Sequence, residues 1–303
     1  MAERTVIAID LGGTKASLAL VTEEGRVVRR VVRPAPDRSP QDAVDVLVRR
    51  ARRWPEAAAA AAVGMALPAI VAEDGSVAWP AASVGRWKDA PAGRLLETAF
   101  GMPAAVRFDG YAATLGEAVF GPGRDVRSLV ALIVGTGLGA GAWVDGRVIE
   151  GSAGVAGAVG WTRWPTVGDE LSEPAETLVS GPGILREARR RAPEAGYADT
   201  RAVFRAARLG DPAARAVVAE AARVAGSVAG AAVNVIAPDV VVWTGGVGSR
   251  ADFSALATRT ARACCQPFAR RRTRFVRSRL GAESSLMGAA AAALQLTRGR
   301  AEP

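Results

Sequence analysis

Thr5-Val-Ile-Ala-Ile-Asp10-Leu-Gly12-Gly13-Thr14-Lys15 with the apolar run Ala16 to Val21, and Leu129 to Val134 with Gly135-Thr136-Gly137-Leu138-Gly139-Ala140-Gly141 and Ala142 to Val144, decide the fold. In each, an apolar run of strand length meets a glycine-rich turn and a second apolar run follows, which predicts a β-hairpin. The same device met twice in one chain predicts two related α/β halves facing each other across a cleft. A third apolar strand, within Pro238-Asp-Val-Val-Val-Trp-Thr-Gly245-Gly246-Val-Gly248, enters another glycine turn.

Outward from the first hairpin, the turn Glu23-Glu24-Gly25 leads to a valine-rich third strand over Arg26 to Arg33, and Pro34 to Pro40 breaks the sheet. Val44, Leu47 and Val48 are spaced for a helix over Gln41 to Arg53. Strands are expected at Val63 to Leu67 and at Ala104 to Phe108, with a helix from about Ala90 to Phe100 between them. Asp109 then lies at the carboxyl end of a strand, where open α/β sheets place ligands. Tyr111 to Phe120 reads as a helix closed by Gly121-Pro-Gly123, a breaker expected to be the hinge between halves. Helical spacing returns over Ala175 to Arg191, Thr200 to Ile236 and Gly281 to Leu296.

The 303 residues suit two domains at roughly 150 residues each. Half of them are hydrophobic and 23% charged, a globular balance that argues against disorder, and no alanine run is long enough to span a bilayer. Met1 to Arg4 runs straight into a strand, so no signal peptide is expected and the expected compartment is the cytoplasm. The two cysteines, Cys264 and Cys265, are adjacent and suit neither a disulfide framework nor a four-cysteine zinc site. Histidine is absent, which removes the Ser-His-Asp triad, the Cys-His pair and the HExxH zinc site and leaves carboxylates as the natural bases. The net charge of +9 rests almost wholly on arginine, all but two of the 39 basic residues. The densest cluster, Arg270 to Arg279, has only Phe275 inside it to stack on a base, so a solvated face is expected rather than a nucleic-acid site.

The chemistry is expected at the three glycine turns, where backbone N–H groups can approach phosphate oxygens and the Thr14 and Thr136 hydroxyls add donors. Any one turn alone is better read as a hairpin needing positive φ; three of them after strands in two similar halves favour a nucleotide. Asp10 is placed to hold magnesium, through water, or else to cap its turn. Asp109 is placed to accept a hydroxyl proton as that oxygen attacks a phosphoryl group, and also to cap the helix that follows.

Taken in order, IDLGGTK from Ile9, FDGYAATLGEAVFG from Phe108, LIVGTGLGAG from Leu132, ETLVSGPGI from Glu176 and APDVVVWTGGVGS from Ala237 resemble the ROK family of sugar kinases and sugar-responsive repressors, within the actin-like ATPase superfamily. The resemblance implies two actin-like, ribonuclease H-like α/β domains. Residues 1–118 with a C-terminal helix at about 285–300 would form the smaller and residues 119–284 the larger. It implies ATP with Mg2+, Asp109 as the catalytic base, and phosphate or adenosine contacts from Asp10, Gly12, Gly13, Thr14, Lys15, Gly135, Thr136, Gly137, Gly139, Gly245 and Gly246. The partner would be a small sugar-like acceptor, with no nucleic acid and no membrane, in a homodimer or homotetramer. The repressors' DNA-binding module precedes the first phosphate loop, which here begins by Asp10, so that module is not expected.

The acceptor side departs from the resemblance. Where the family has asparagine before the aspartate this chain has Phe108, and its GExGH segment reads Gly157-Ala158-Val159-Gly160-Trp161. Glu176 is retained and, with Trp161, is expected to line the acceptor side, but the histidine and three cysteines of the structural zinc motif have no counterparts, so no zinc is expected and Thr162 to Pro174 should be shaped by Trp161, Trp164 and two prolines. A pocket that has lost hydroxyl partners at positions 108, 158 and 161 favours a cyclitol, deoxysugar or modified sugar over plain glucose. The alternative is a sensor or scaffold of the same fold that has lost sugar binding.

Overall fold

The computed structural model describes residues 3–36, 39–164 and 173–298. Its contacts divide the chain into unit 1, Met1–Arg124 with Glu150–Val155 and Glu283–Pro303, and unit 2, Asp125–Ile149 with Ala156–Ala282.

In unit 1, β1 (Thr5–Leu11) pairs antiparallel with β2 (Lys15–Thr22), and β2 with β3 (Val27–Pro34). Helix α1 (Pro40–Ala51) starts where Ser39 accepts a hydrogen bond from the Asp42 N–H. It leads to β4 (Val63–Leu67), the hairpin β5 (Ala69–Val71) and β6 (Val77–Pro80), and a 3-10 turn at Ala82–Trp87. Helix α2 (Ala92–Phe100), β7 (Ala104–Phe108) and α3 (Asp109–Val119) follow. The sheet order is β3-β2-β1-β4-β7, with β4 parallel to both of its neighbours. Alternation along β1 sends Ile7, Ile9 and Leu11 into one core with Val44 and Leu47 of α1 and Leu96 of α2.

Unit 2 opens with β8 (Ser128–Val134), β9 (Leu138–Val144) and β10 (Arg147–Val148). After a 3-10 turn at Val159–Trp161 come β11 (Arg163–Trp164), β12 (Glu173–Pro174), α4 (Ala175–Val179), α5 (Gly181–Arg191), α6 (Thr200–Leu209) and α7 (Pro212–Ile236). Then follow β13 (Val240–Thr244), the helical turn α8 (Gly245–Gly248), α9 (Ala251–Cys264), α10 (Pro267–Arg272) and β14 (Arg274–Arg277). The sheet order is β10-β9-β8-β13-β14, again antiparallel on one side of the first strand and parallel on the other. Helix α7 is long and apolar enough to cross a membrane, but 61% of its apolar window is buried, much of it in the core of this unit with α9.

Helix α11 (Ser284–Arg298) returns to unit 1 and lies against α3 and the sheet face opposite α1. The approach to α3 is backbone to backbone: a Cβ on Gly288 would sit 1.6 Å from the Ala112 carbonyl oxygen. Buried Glu117 on α3 accepts a hydrogen bond of 2.6 Å from Ser284 on α11.

Several expected elements change form. The expected helix over Ala175–Arg191 divides at Ser180, whose extended backbone ends α4 and whose side chain caps α5. The one over Thr200–Ile236 divides at Gly210, at φ +106°, and Asp211 caps α7. The third glycine turn is the helical turn α8. The arginine cluster from 270 contains α10 and the edge strand β14, whose charged residues suit an edge position. Of the stretch Thr162–Pro174, residues 165–172 and with them Pro165 lie outside the described residues. Its flanks pair as β11 and β12, and Trp164 packs on the unit 2 core while Trp161 is 75% exposed, so Trp161 does not shape the stretch by packing.

Candidate active site

In unit 1, β1 and β7 flank β4 and run parallel, so their carboxyl ends project the same way. Asp10 stands in register with Ala66 of β4, and Ala66 in turn with Arg107, two residues before Asp109. The pairing brings both carboxylates to one end of the sheet. Asp109 is the first residue of α3; Phe108 occupies the cap position and no side chain caps the helix, so the capping role expected of Asp109 is not taken.

Burial raises the Asp109 carboxyl to about 6, with the negative charge of Asp10 as a second cause and a hydrogen bond from the Gly110 N–H opposing them. Burial also raises Asp10, while the charges of Lys15 and Arg30 hold it down. Asp109 is thereby held well above the ordinary carboxylate range. Among the described residues no cluster of three or more His, Cys, Asp or Glu gathers to form a metal cage. Two desolvated carboxylates at one sheet end, without such a cage, fit a magnesium ion held mainly by phosphate and water.

Beyond Asp10, the Gly12 N–H donates to the Lys15 carbonyl at 3.0 Å, which closes the first glycine turn. Thr14 and Lys15 are exposed. Gly13 lies so close to the 3-10 turn that a Cβ there would meet the Ser83 Cβ at 2.3 Å. A groove of about 410 Å³ runs from Gly12 and Gly13 to Val84 and Trp87.

Phe108 meets Tyr111 edge to face, with ring centroids 5.2 Å apart. The Tyr111 hydroxyl donates to the Glu150 carbonyl at 2.9 Å, and Arg107 reaches the Glu150 carboxylate at 3.4 Å. The strap Glu150–Val155 is thereby tied to unit 1 next to the aromatic pair, walling a cavity of about 70 Å³.

In unit 2, the Gly135 N–H donates to the Gly137 carbonyl at 2.9 Å, and Gly139 begins the return along β9 opposite Ile133. Gly245, at φ +82°, starts α8 where a Cβ would meet the Val134 carbonyl oxygen at 2.5 Å, and the Gly246 nitrogen stands 3.8 Å from the place of a Cβ on Gly135. The two glycine segments are therefore neighbours. Ala158 precedes the 3-10 turn that carries Trp161, and the Ala140 N–H donates to the Gly157 carbonyl at 2.8 Å, which lays this turn along β9. The Glu176 carboxylate accepts a hydrogen bond of 2.9 Å from the Leu138 N–H.

Sequence reasoning missed the 3-10 turn behind Gly13, the strap with its Tyr111 tie, and the contact of the Gly181 N–H with the Gly135 carbonyl at 2.7 Å. The last had a signal, since Ser-Gly-Pro after a short apolar run marks a helix start. The strap has neither periodicity nor a charge pattern to announce it.

The ROK family model matches residues 6–296. The chain is 32% identical over 293 residues to the bifunctional enzyme NanE/NanK of Brucella melitensis, covering 94% of this chain and 53% of that protein. It thus spans about half the length of this relative. It is 31% identical over 224 residues to the N-acetylmannosamine kinase of Salmonella newport, covering 73% of this chain and 75% of that one. Among solved structures, the ROK hexokinase from Thermus thermophilus superposes with a TM-score of 0.82 at 30% identity over 97% of this chain and 99% of that one. The ROK family glucokinase from Streptomyces griseus, solved with glucose and AMPPNP, does so with a TM-score of 0.82 at 26% identity over 96% and 99%. A family match along nearly the whole sequence, and two sheets that superpose on these kinases of actin-like ATPase fold, lead to one conclusion: the chain belongs to the ROK family.

Proposed function

We propose that the chain is an ATP- and magnesium-dependent kinase that transfers the γ-phosphoryl group to a hydroxyl of a sugar or sugar-like acceptor. The observation that carries this reading is Asp109, a half-buried carboxylate that desolvation raises to about 6 at the carboxyl end of β7, with Asp10 at the same sheet end. Relatives named as N-acetylmannosamine kinase, hexokinase and glucokinase support it.

The chain's residues divide the work by chemistry. Asp109 is mostly ionised at pH 7 and takes the proton of the attacking hydroxyl, which leaves the oxygen free to bond to phosphorus as the bond to the leaving diphosphate breaks. Backbone N–H groups in Gly13-Thr14, Thr136-Gly137 and Gly245-Gly246, with the Thr14 and Thr136 hydroxyls and Lys15, offer donors and positive charge to phosphate oxygens, while the Gly12 and Gly135 N–H groups close their own turns. Asp10 would hold magnesium through water; the ion, when bound, neutralises charge on the transferring phosphate.

Phe108, Ala158 and Trp161 offer no carboxylate or imidazole to sugar hydroxyls. We therefore read the acceptor as a ring with fewer or differently placed hydroxyls, such as a cyclitol, a deoxysugar or a modified sugar. The test is product detection by mass spectrometry with ATP and a panel of hexoses, amino sugars, deoxysugars and cyclitols. Turnover of a panel member that is lost in Asp109→Asn establishes the kinase. Fastest turnover of glucose would overturn the acceptor preference, and nucleotide binding without turnover of any member would favour a sensor.

A further inference from the structure

We propose that the arginine-lined edge of the unit 2 sheet, β14 with α10, is a docking surface for an extended acidic segment of a partner protein, which adds to the sheet as a further strand. The surface is separate from the residues read as catalytic, so its test does not depend on kinase activity.

Arg270, Arg271, Arg272, Arg274, Arg277 and Arg279 are all exposed, and among the described residues none of them pairs with a carboxylate. The edges of the unit 1 sheet show the contrast. Arg29 and Arg30 of β3 pair with Glu56 and Glu283, and Arg107 of β7 pairs with Glu150. Crowded like charges repel one another, and on β14 and α10 that repulsion is relieved only when a partner brings negative charge.

The backbone says what form the partner takes. The Arg274 N–H donates to the Asp239 carbonyl at 2.9 Å and the Ser278 N–H to the Trp243 carbonyl at 2.8 Å, so residues 274, 276 and 278 face β13. Phe275 and Arg277 therefore turn their backbone N–H and C=O groups to the open side of the sheet. Such a row is a template for one more strand. Side chains alternate too, which sets Arg274 and Arg277 on opposite faces, and an added strand meets arginine on both. The same charge keeps the edges of two copies of this chain apart, which selects an acidic partner over a second copy.

At the start of β14 a groove of about 680 Å³ lies among Val233, Ala237, Pro238, Phe268, Arg271 and Arg272. Phe268 is exposed, an apolar anchor beside two cations. A nucleic acid finds less here. Phe275 packs on the unit 2 core with the Arg262 guanidinium 5.5 Å from its ring centre, so this ring is already covered and does not serve as a stacking platform for a base. Docking also leaves the third glycine turn alone: the groove opens at the amino end of β13 and Gly245 follows its carboxyl end, roughly 17 Å away at about 3.3 Å per residue.

The experiment follows the fluorescence anisotropy of a labelled peptide of alternating glutamate and valine ending in phenylalanine, with the unaltered chain and with the triple variant Arg271→Glu, Arg272→Glu and Arg274→Glu. The controls are the same peptide with glutamine for glutamate, the same peptide N-methylated at every second backbone nitrogen, an inorganic polyphosphate and a thymidine oligonucleotide. The unaltered chain should bind the acidic peptide saturably, and more weakly at high salt. Charge reversal on the protein and glutamine in the peptide should each weaken binding at least about tenfold. N-methylation should cost about tenfold, the loss of edge hydrogen bonds. The three substituted arginines are exposed, so the triple variant should melt as cooperatively as the unaltered chain.

No saturable binding of the acidic peptide would overturn the docking surface, and full affinity in the triple variant would overturn its location. Equal binding of the N-methylated peptide would overturn strand addition. Tighter binding of the polyphosphate or the oligonucleotide than of the peptide would make the cluster a polyanion surface instead.

Discussion

β1 and β8 are both seven residues long and share the same sequence of buried and half-buried positions, yet at the sixth place β1 has Asp10 and β8 has Ile133. Each pairs antiparallel with the next strand and parallel with a later one. The turns differ by one residue, because Leu11 pairs with Ala16 and Val134 with Leu138. On the parallel side unit 1 adds Asp109 after β7, one strand beyond β4, the parallel partner of β1, whereas β13, the parallel partner of β8, itself runs into Gly245 and Gly246. One architecture thus ends in two kinds of surface. The sheet end of unit 1 carries the two carboxyl groups proposed for proton and metal chemistry, and that of unit 2 presents backbone shaped by glycine.

The strongest way to break this comparison is to neutralise unit 1. Asp109→Asn should lower kcat by about 10²- to 10⁴-fold with AMPPNP affinity retained. It should not cost stability. A carboxyl that binds its proton more tightly folded than unfolded loses native stability as pH rises from about 4 to about 6, so the variant should melt no lower than the unaltered chain at pH 8. A lower melting temperature there would mean that Asp109 holds the fold together and would weaken its assignment as a base.

The converse change puts a carboxylate into the matching slot of unit 2. Ile133→Asp loses apolar packing and half-buries an unpartnered charge, and should cost about 3 kcal/mol in urea unfolding. Asp10→Asn at the equivalent place should cost far less. Equal losses at the two positions would show that the slots do not differ in kind.

The comparison sharpens through pH. For the unaltered chain kcat/KM should rise through about pH 6 and level off above it, because Asp109 must be ionised to accept a proton. Asp10→Asn removes a negative charge that raises Asp109, so the acid limb should move to lower pH. A limb that stays in place would separate the two carboxylates electrostatically.

The smallest effect is expected at the strap. Arg107 and Glu150 pair at 3.4 Å with side chains 43% and 39% exposed, so Arg107→Ala should change unfolding free energy by less than about 1 kcal/mol. A larger loss would make the ion pair, and not the Tyr111 hydrogen bond, the tie that holds Glu150–Val155.

The central strands were legible because a parallel strand buried on both faces must be an unbroken apolar run, and β1, β4, β8 and β13 each end in or near glycine, aspartate or proline. Asp109 and the glycine turns were legible for the same reason, since strand ends are marked in sequence. Other parts had no local signal. Ala69–Val71 and Val77–Pro80 are too short for an alternation to show, and the arginines of Arg274–Phe-Val–Arg277 read as a solvated face although the strand is an edge that pairs on one side only. Glu176 was legible as a retained residue, but its partner is a backbone N–H 38 positions earlier, a pairing that only the folded chain displays.

Helix α11 is made from the last described stretch of the chain, yet it covers the face of the sheet begun by β1. During synthesis, unit 1 therefore waits. Its strands and α3 emerge with one apolar face bare, the whole of unit 2 is made next, and the cover arrives only after Ser284. The residues destined to present Asp10 and Asp109 are held by a sheet that stays half-dressed for most of translation, a stage at which chaperones and aggregation compete for it.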